Sequence, residues 1–282
     1  MKPAGCGLGL RRELIPALLA GVPPAIDFLE IAPENWLGAG GRMAHTLRQL
    51  SERRPFVCHG LSLSLGGPAP LDTPLLRQIR AFMAAHGIDR YTEHLAWCSD
   101  AEGQLYELLP LPFTEEAVRH VAARIRQAQD VLGQRIAVEN ASTYLHAPAF
   151  GEQGDMDEAA FVRAVLHEAD CLLHLDVNNV YVNSRNHGFD AQAYLAALPA
   201  DRVVYMHVAG HLVEPDGLLI DTHGEAVCDP VWALLQAAYA RFGVQATCLE
   251  RDFQLPPLPV LLAEVDQIAR CQQAATAHRL AA

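Results

Sequence analysis

Basic residues are scarce in this chain. Its 282 residues carry 21 Lys+Arg against 33 Asp+Glu, a formal charge of −12. That balance argues against a nucleic-acid backbone or an anionic membrane surface as the main partner. Aromatic residues make up only 7%. Trp36, Trp97 and Trp232 are not set in any basic patch, so they read as core or pocket wall rather than base-stacking platforms. Paired cysteines are missing too: the seven cysteines are odd in number, scattered and never in a CxxC pair. This excludes a disulfide framework and a zinc ribbon and suits a reducing compartment, so a cytoplasmic location is expected. No N-terminal segment combines a basic start, an apolar run and a small-residue cleavage site. The longest apolar stretches fall far short of the roughly 20 residues that cross a bilayer. There is no P-loop signature, no Ser-His-Asp arrangement, and no linker, repeat or low-complexity segment.

What the chain does have is a succession of short apolar runs separated by helical patterns. The runs are Cys6–Leu10, Asp27–Ile31, Phe56–His59, Tyr91–Leu95, Ile136–Asn140, Cys171–Asp176, Val203–Val208 and Ala246–Glu250. Continuous apolar strands alternating with helices indicate a parallel sheet buried on both faces. Thr73–His86 has helical spacing and stops at Gly87, and Thr114–Leu132 opens on a cap with two acids and stops at Gly133. Asp157–Ala169 and Pro230–Phe242 have the same character, and a last helix runs from Pro256-Pro257 to about Gln273. Eight strands with interleaved helices predict an α/β fold, a TIM-type (β/α)8 barrel forming a single domain over residues 1–282. Loops are expected at Gly38–Gly41 and Gly66–Pro74.

Polar residues gather at the C-terminal ends of these runs. Glu34-Asn35 follow the second, His59 closes the third, Glu93-His94 the fourth and Glu139-Asn140 the fifth. Asp176 with Asn178-Asn179 closes the sixth, His207 and His211 the seventh, and Glu250 and Asp252 the eighth. In a parallel barrel all strand C-termini lie on one face, so these groups converge on one mouth. One histidine at a strand end is ordinarily a satisfied core residue. So many acids and imidazoles together are not, because each costs several kcal/mol to bury unless paired or metal-bound. Imidazole and carboxylate without matching cysteine form an N/O donor set that suits iron, manganese or zinc, in numbers that allow two or three ions sharing carboxylates.

Two loops add donors. NSRNHGFD places His187 and Asp190 in a Gly-containing turn, and LLIDTHGE places Asp221 and His223 two residues apart, where an extended chain would point both the same way. A polar turn is an equally good account of that second motif taken alone. His45, His86, His120, His146, His167 and His278 read as solvent-facing, and His174, mid-strand before Asp176, is ambiguous. Cys58 and Cys248 read as small apolar fillers inside strands. HGLSLSLGG, after His59, looks like an anion-binding loop, a weak signal on its own.

In order along the chain, FLEIAPENW, HGLSLSLGG, EHLAW, ENASTY, LDVNNVYVNSRNHGFD, HVAGH, LIDTHG and LERDF resemble the DUF692 (UPF0276) family, the multinuclear non-heme iron-dependent oxidative enzymes. That family includes the methanobactin biosynthesis enzyme and bufferin-maturing relatives. The resemblance implies a barrel with two or three iron ions (Fe2+/Fe3+) at its mouth. By motif, Glu139 and Glu250 correspond to bridging carboxylates and, with Asp176, to the catalytic acids. One iron would be completed by His59 and His94, another by Asp176 and His207, and a third by His187, Asp221 and His223. Glu34, Asn140, Asn179 and His211 fall around the metals or on the substrate side. The resemblance further implies O2-dependent oxidative modification of cysteines in a ribosomally made precursor peptide by a mixed-valent iron pair. A small partner protein that recognises the leader is implied as well.

Two readings from other classes compete. One is a zinc- or manganese-dependent barrel isomerase or hydrolase, like xylose isomerase or endonuclease IV. The acidic charge disfavours the nuclease version, which wants a basic track. The other is a metal-storage protein without catalysis, for which shared carboxylates and open positions exceed the need.

Overall fold

The computed structural model describes residues 5–145 and 156–281. Its barrel strands are β1 (Cys6–Gly9), β2 (Phe28–Ile31), β3 (Phe56–Gly60) and β4 (Tyr91–His94). A hairpin of β5 (Trp97–Ser99) and β6 (Gln104–Leu109) follows, then β7 (Ala137–Glu139), β8 (Leu172–Asp176) and β9 (Val203–Val208). A second hairpin, β10 (Leu212–Val213) and β11 (Leu219–Ile220), precedes β12 (Ala246–Leu249). The barrel closes in the order β1-β12-β9-β8-β7-β4-β3-β2, every pairing parallel. The fold is the expected (β/α)8 barrel in one domain. The eight apolar runs are its eight strands, with bounds shifted by a residue or two.

Local chemistry sets the helices. They are α1 (Ile15–Ala20), α2 (Gly41–Ser51), α3 (Thr73–His86), α4 (Glu115–Leu132) and α5 (Glu158–Ala169). After β8 come α6 (Val177–His187) and α7 (Ala191–Ala197), then α8 (Asp229–Phe242) and α9 (Leu258–Ala281). Thr114 and Asp157 cap α4 and α5 by accepting from Ala117 N and Ala160 N, while Gly87 and Gly133 close α3 and α4 in the left-handed region. Three expectations change. Gly41 opens α2 instead of lying in a loop. The segment NSRNHGFD is not a turn up to Asp190: α6 begins directly after β8 and runs to His187, because Asp176 caps it and Gly188 stops it. The last helix continues to Ala281, well past Gln273.

Side chains alternate between the barrel interior and the layer under the helices. Phe28, Val57, Tyr205, Ala246 and Cys248 form a small apolar cluster inside the barrel, apart from the main core between strands and helices. Two residues further along their strands lie Glu30, His59, His207 and Glu250. A polar layer therefore rests directly on an apolar floor. Register carries that layer sideways: His94 pairs with Glu139, Glu139 with His174, and Asp176 with His207. The two hairpins follow β4 and β9 and so stand at the same end. No described helix is long and apolar enough to cross a membrane.

Gly7 makes the floor possible. A Cβ there would meet the Phe28 ring at 2.2 Å, and Phe28 is fully buried. Gly7→Ala is therefore expected to cost about 1–3 kcal/mol through overpacking, read as a lower urea midpoint with an unchanged slope. An unchanged midpoint would refute this account of the floor.

Candidate metal centre

Three groups of donors share the polar layer. In the first, His59 Nε2 and His94 Nε2 lie 3.1 and 3.3 Å from Glu139 Oε2 and 3.2 Å from each other. Their outer nitrogens are tied back: His94 Nδ1–H donates to the Gly60 carbonyl at 3.0 Å, and His59 Nδ1 bonds the Thr92 hydroxyl at 2.7 Å. Both rings thus turn Nε2 to the interior, the usual way outer partners orient a ligating imidazole. Gly60 has to be glycine for this, since a Cβ would sit 2.1 Å from the Tyr91 hydroxyl and 2.4 Å from Glu93 Oε2.

The second group meets at His207 Nδ1, which lies 3.1 Å from Glu139 Oε1, 2.9 Å from Glu250 Oε2 and 3.9 Å from Asp176 Oδ2. Its Nε2–H donates to Glu30 Oε2 at 2.8 Å, and the Tyr205 hydroxyl donates to that same oxygen at 2.7 Å. Asp176 divides its work, with Oδ1 accepting from Asn179 N as the cap of α6 and Oδ2 facing His207. Asn140 clamps the backbone of Asp176, donating to its carbonyl and accepting from its N–H, both at 3.0 Å. The Asn179 amide then donates to the Asn140 carbonyl. Asn140 and Asn179 therefore position Asp176.

The third group joins His223, Glu250 and Asp252. His223 Nδ1 lies 2.9 Å from Asp252 Oδ2 and 3.5 Å from Glu250 Oε2, and its Nε2 lies 2.7 Å from Asp221 Oδ1. Asp221 and His223 do meet, though not through an extended chain: His223 has φ +51°, a left-handed conformation rare outside glycine. Asn178 donates to Asp221 Oδ1 and Ser142 to Oδ2, while His211 Nδ1 bonds Asn178 Oδ1. His211 thus reaches the group through Asn178. His187 is in none of these groups; its Nε2 is held by the hydroxyl and carbonyl of Thr143 at 2.7 and 2.9 Å. Glu34 accepts from Leu61 N through Oε1, and its Oε2 is buried without a partner.

The donor chemistry fits cations. Asp176 Oδ2, both nitrogens of His174, His207 Nδ1 and His223 Nε2 are buried with no hydrogen-bond partner, even where carboxylate oxygens lie close. Buried donor atoms left without hydrogen bonds beside carboxylates are placed to face a cation. Burial would lower the pKa of His94, but Glu93 and Glu139 raise it to about 9. Burial and the charge of Glu139 raise Asp176 to about 8. Burial opposes the charge on Glu139 and Glu250, yet the surrounding imidazoles hold both well below the usual carboxylate range. The acids in turn keep His207 and His223 well above the ordinary histidine value against their burial. These buried His/Glu/Asp groups could hold metal ions in place of those protons.

Sequence reasoning missed Glu30, which lies inside its strand and touches the centre only across the barrel. It also left His174 undecided; period-two spacing from Asp176 was the available signal. Asp252 was noted but given no role. Arg11 was missed too: its Nε donates to Asp252 Oδ1 at 2.6 Å and its Nη2 reaches Glu250 Oε1 at 3.4 Å. HGLSLSLGG is not an anion cradle. Its Gly66 and Gly67 amides bond Ala96 O and Ser64 O, and Arg124 holds the carbonyls of Ser64, Leu65 and Ala69. Of the histidines read as solvent-facing, His45, His120, His167 and His278 are exposed, His86 is half-buried and His146 lies outside the described residues. All seven cysteines are free. A cleft of about 310 Å³ walled by Arg11, Arg12, Asn35, Trp36 and Leu61 descends to His59 and Glu250.

Residues 5–273 match the family described as RiPP precursor modification enzyme MbnB/TglH/ChrH, where RiPP denotes a ribosomally synthesised and post-translationally modified peptide. A UPF0276 protein of Nitrosospira multiformis is 60% identical over 95% of this chain and 93% of its own length. A UPF0276 protein of Pseudomonas aeruginosa is 57% identical over 96% and 93%. Among solved structures, 3-keto-D-glucoside 4-epimerase from E. coli superposes with a TM-score of 0.60 at 14% identity, covering 96% of this chain and 99% of that one. Endonuclease IV from Thermus thermophilus gives 0.57 at 15% identity, covering 97% of this chain and 99% of that one. At such identities the likeness is one of fold alone.

Two outcomes are expected. Glu30→Gln should weaken divalent-metal affinity about 10–100-fold by loosening His207, measured by chelator competition, and unchanged affinity would remove Glu30 from the centre. At pH 7, metal binding should release protons from Asp176, His94, His207 and His223, so affinity rises from pH 6 to 9. Titration calorimetry in buffers of different ionisation enthalpy reads that release, and heats independent of buffer would contradict it.

Proposed function

The chain belongs to the family of RiPP precursor modification enzymes MbnB/TglH/ChrH, and from that premise we propose that it oxidises cysteine residues of a ribosomally made precursor peptide, using two or three iron ions and O2. The observation that carries the reading is the set of unpartnered imidazole and carboxylate atoms gathered under the 310 Å³ cleft. Imidazole with shared carboxylates is a donor set for iron, and it leaves positions for further ligands. Bound ferrous and ferric ions would supply one-electron chemistry between O2 and a cysteine thiolate.

The protein's own part is holding and shaping. His59, His94 and Glu139 would hold one ion. Glu139, Asp176, His207 and Glu250 would hold a second. His223, Glu250 and Asp252, with Asp221 beside them, would hold a third. Glu139 and Glu250 are then each shared between two neighbours. Glu30 keeps the His207 ring turned, and Arg11 occupies Glu250 Oε1 so that Oε2 alone faces the imidazoles. The cleft accepts a short stretch of peptide and excludes a folded domain, because pockets of this size take small ligands. A small protein that recognises the leader of the precursor, working in the reducing cytoplasm, completes the reading.

The deciding experiment uses a short Cys-bearing precursor peptide, sought among the coding sequences beside the gene. Iron-loaded protein should consume O2 and change the mass of that peptide, and zinc-loaded protein should be inert. Protein from iron-replete cells that holds zinc at every position, and converts the peptide equally well without O2, would sink the proposal. Elemental analysis of Glu139→Ala should show the loss of two ions instead of one.

A further inference from the structure

His174 plays no part in the three groups just assigned, yet nothing in the barrel satisfies it. It is fully buried, and neither ring nitrogen has a hydrogen-bond partner. An unsatisfied buried polar atom is destabilising, so a core filler of this size would be better served by an apolar residue. Strand β8 aims it inward two residues below Asp176. Its ring stands edge-on to His207 at 3.9 Å and to His59 at 5.2 Å.

One donor atom each from His59, Glu139, His174 and His207 lie within 4.8 Å of one another, and all four residues are buried. Glu139 Oε1 lies 3.1 Å from His207 Nδ1 and 3.6 Å from His174 Nε2, while His59 Nε2 lies 3.1 Å from Oε2 of the same carboxylate. A tetrahedral ion with bonds of about 2.0–2.1 Å has ligand–ligand edges of about 3.3–3.4 Å, and the two Oε1 distances bracket that value. Three imidazoles and one carboxylate make a closed four-coordinate set.

The inner set and the outer groups exclude each other. His59 has already committed Nδ1 to Thr92, and His207 has committed Nε2 to Glu30. Each therefore has one lone pair for a metal, and an imidazole nitrogen binds one ion at a time. We propose that the centre has two alternative metal arrangements: a closed, single-ion site formed by His59, Glu139, His174 and His207, and the outer polynuclear arrangement, in which His174 binds nothing. The inner arrangement suits an ion that prefers four-coordinate nitrogen-rich surroundings, zinc above all. The outer one suits ions that accept more oxygen ligands and open positions. One zinc ion in the inner site thus withholds His59 and His207 from the outer ions. The outer arrangement rests on the preceding reading, and the closed inner site takes from it only that the centre binds divalent cations.

The test is a titration of the full chain, freed of metal by chelation, with Co2+ as a spectroscopic stand-in for Zn2+. The first equivalent should give the intense visible bands of four-coordinate cobalt, which weaken as later equivalents draw His59 and His207 outward. X-ray absorption of protein carrying one equivalent of Zn2+ should count three imidazoles and one oxygen. His174→Gln should lose the intense bands at one equivalent and still take up later ions. His94→Gln, outside the inner set, should keep them. Weak five- or six-coordinate bands at the first wild-type equivalent, or a His174→Gln titration identical to wild type, would overturn the proposal. The wild-type absorption measurement decides even if His174→Gln does not fold. If the first equivalent behaves as expected and no further ions bind, the polynuclear reading fails and takes the outer arrangement with it, while the closed inner site is upheld.

Discussion

The two oxygens of Glu139 face different imidazoles, and the rest of the centre is arranged around that split. Oε2 meets His59 and His94, while Oε1 meets His207. A fully buried carboxylate in a protein interior is unstable unless something positive answers each of its lone pairs. Here imidazoles do so from three strands, and they hold it ionised against its burial. Because β7 lies between β4 and β8 in the barrel, the single residue at its C-terminal end can serve both sides. Glu250, just after β12, is used differently: its Oε2 faces both His207 and His223, while Oε1 is taken by Arg11.

Around this line of acids the protein spends its remaining polar groups on orientation. Glu30, Thr92 and the Gly60 carbonyl each take the far nitrogen of a histidine. Asn140 and the α6 cap immobilise Asp176 from behind, and Arg11 takes the unused oxygen of Glu250. These partners come from the ends of five different strands and the turns after them. Moving any one strand by a residue would turn its inward side chain out. The apolar floor of Phe28, Val57, Tyr205, Ala246 and Cys248 plugs the barrel beneath and leaves the mouth as the way in.

Much of this was legible along the chain. Apolar runs at regular spacing marked the barrel, caps and left-handed glycines marked the helix ends, and acids and histidines at the strand ends marked the mouth. His59, His94, Glu139, Asp176, His207, Glu250 and the pair Asp221–His223 were all picked out that way, and the structure brings them together. The reading failed where contacts are lateral. Glu30 looked like part of an apolar strand, Arg11 drew no notice, and His187 looked like a member of a turn, when it ends a helix and bonds Thr143. The two hairpins were missed because β5, β10 and β11 are two or three residues long, too short for a period to show.

The sequence alone determined which residues point inward, since alternation along a strand is a local property of the backbone. It also pointed to nitrogen and oxygen donors, because histidines and acids, not cysteines, close the strands. Only the closed barrel decided which oxygen of each carboxylate meets which ring, that Arg11 and Glu30 stand beside Glu250 and His207, and that His174 lies within reach of two rings it never neighbours in the chain. Those facts depend on strand order and register across hydrogen-bonded neighbours. Periodicity along one strand carries no information about the residue opposite.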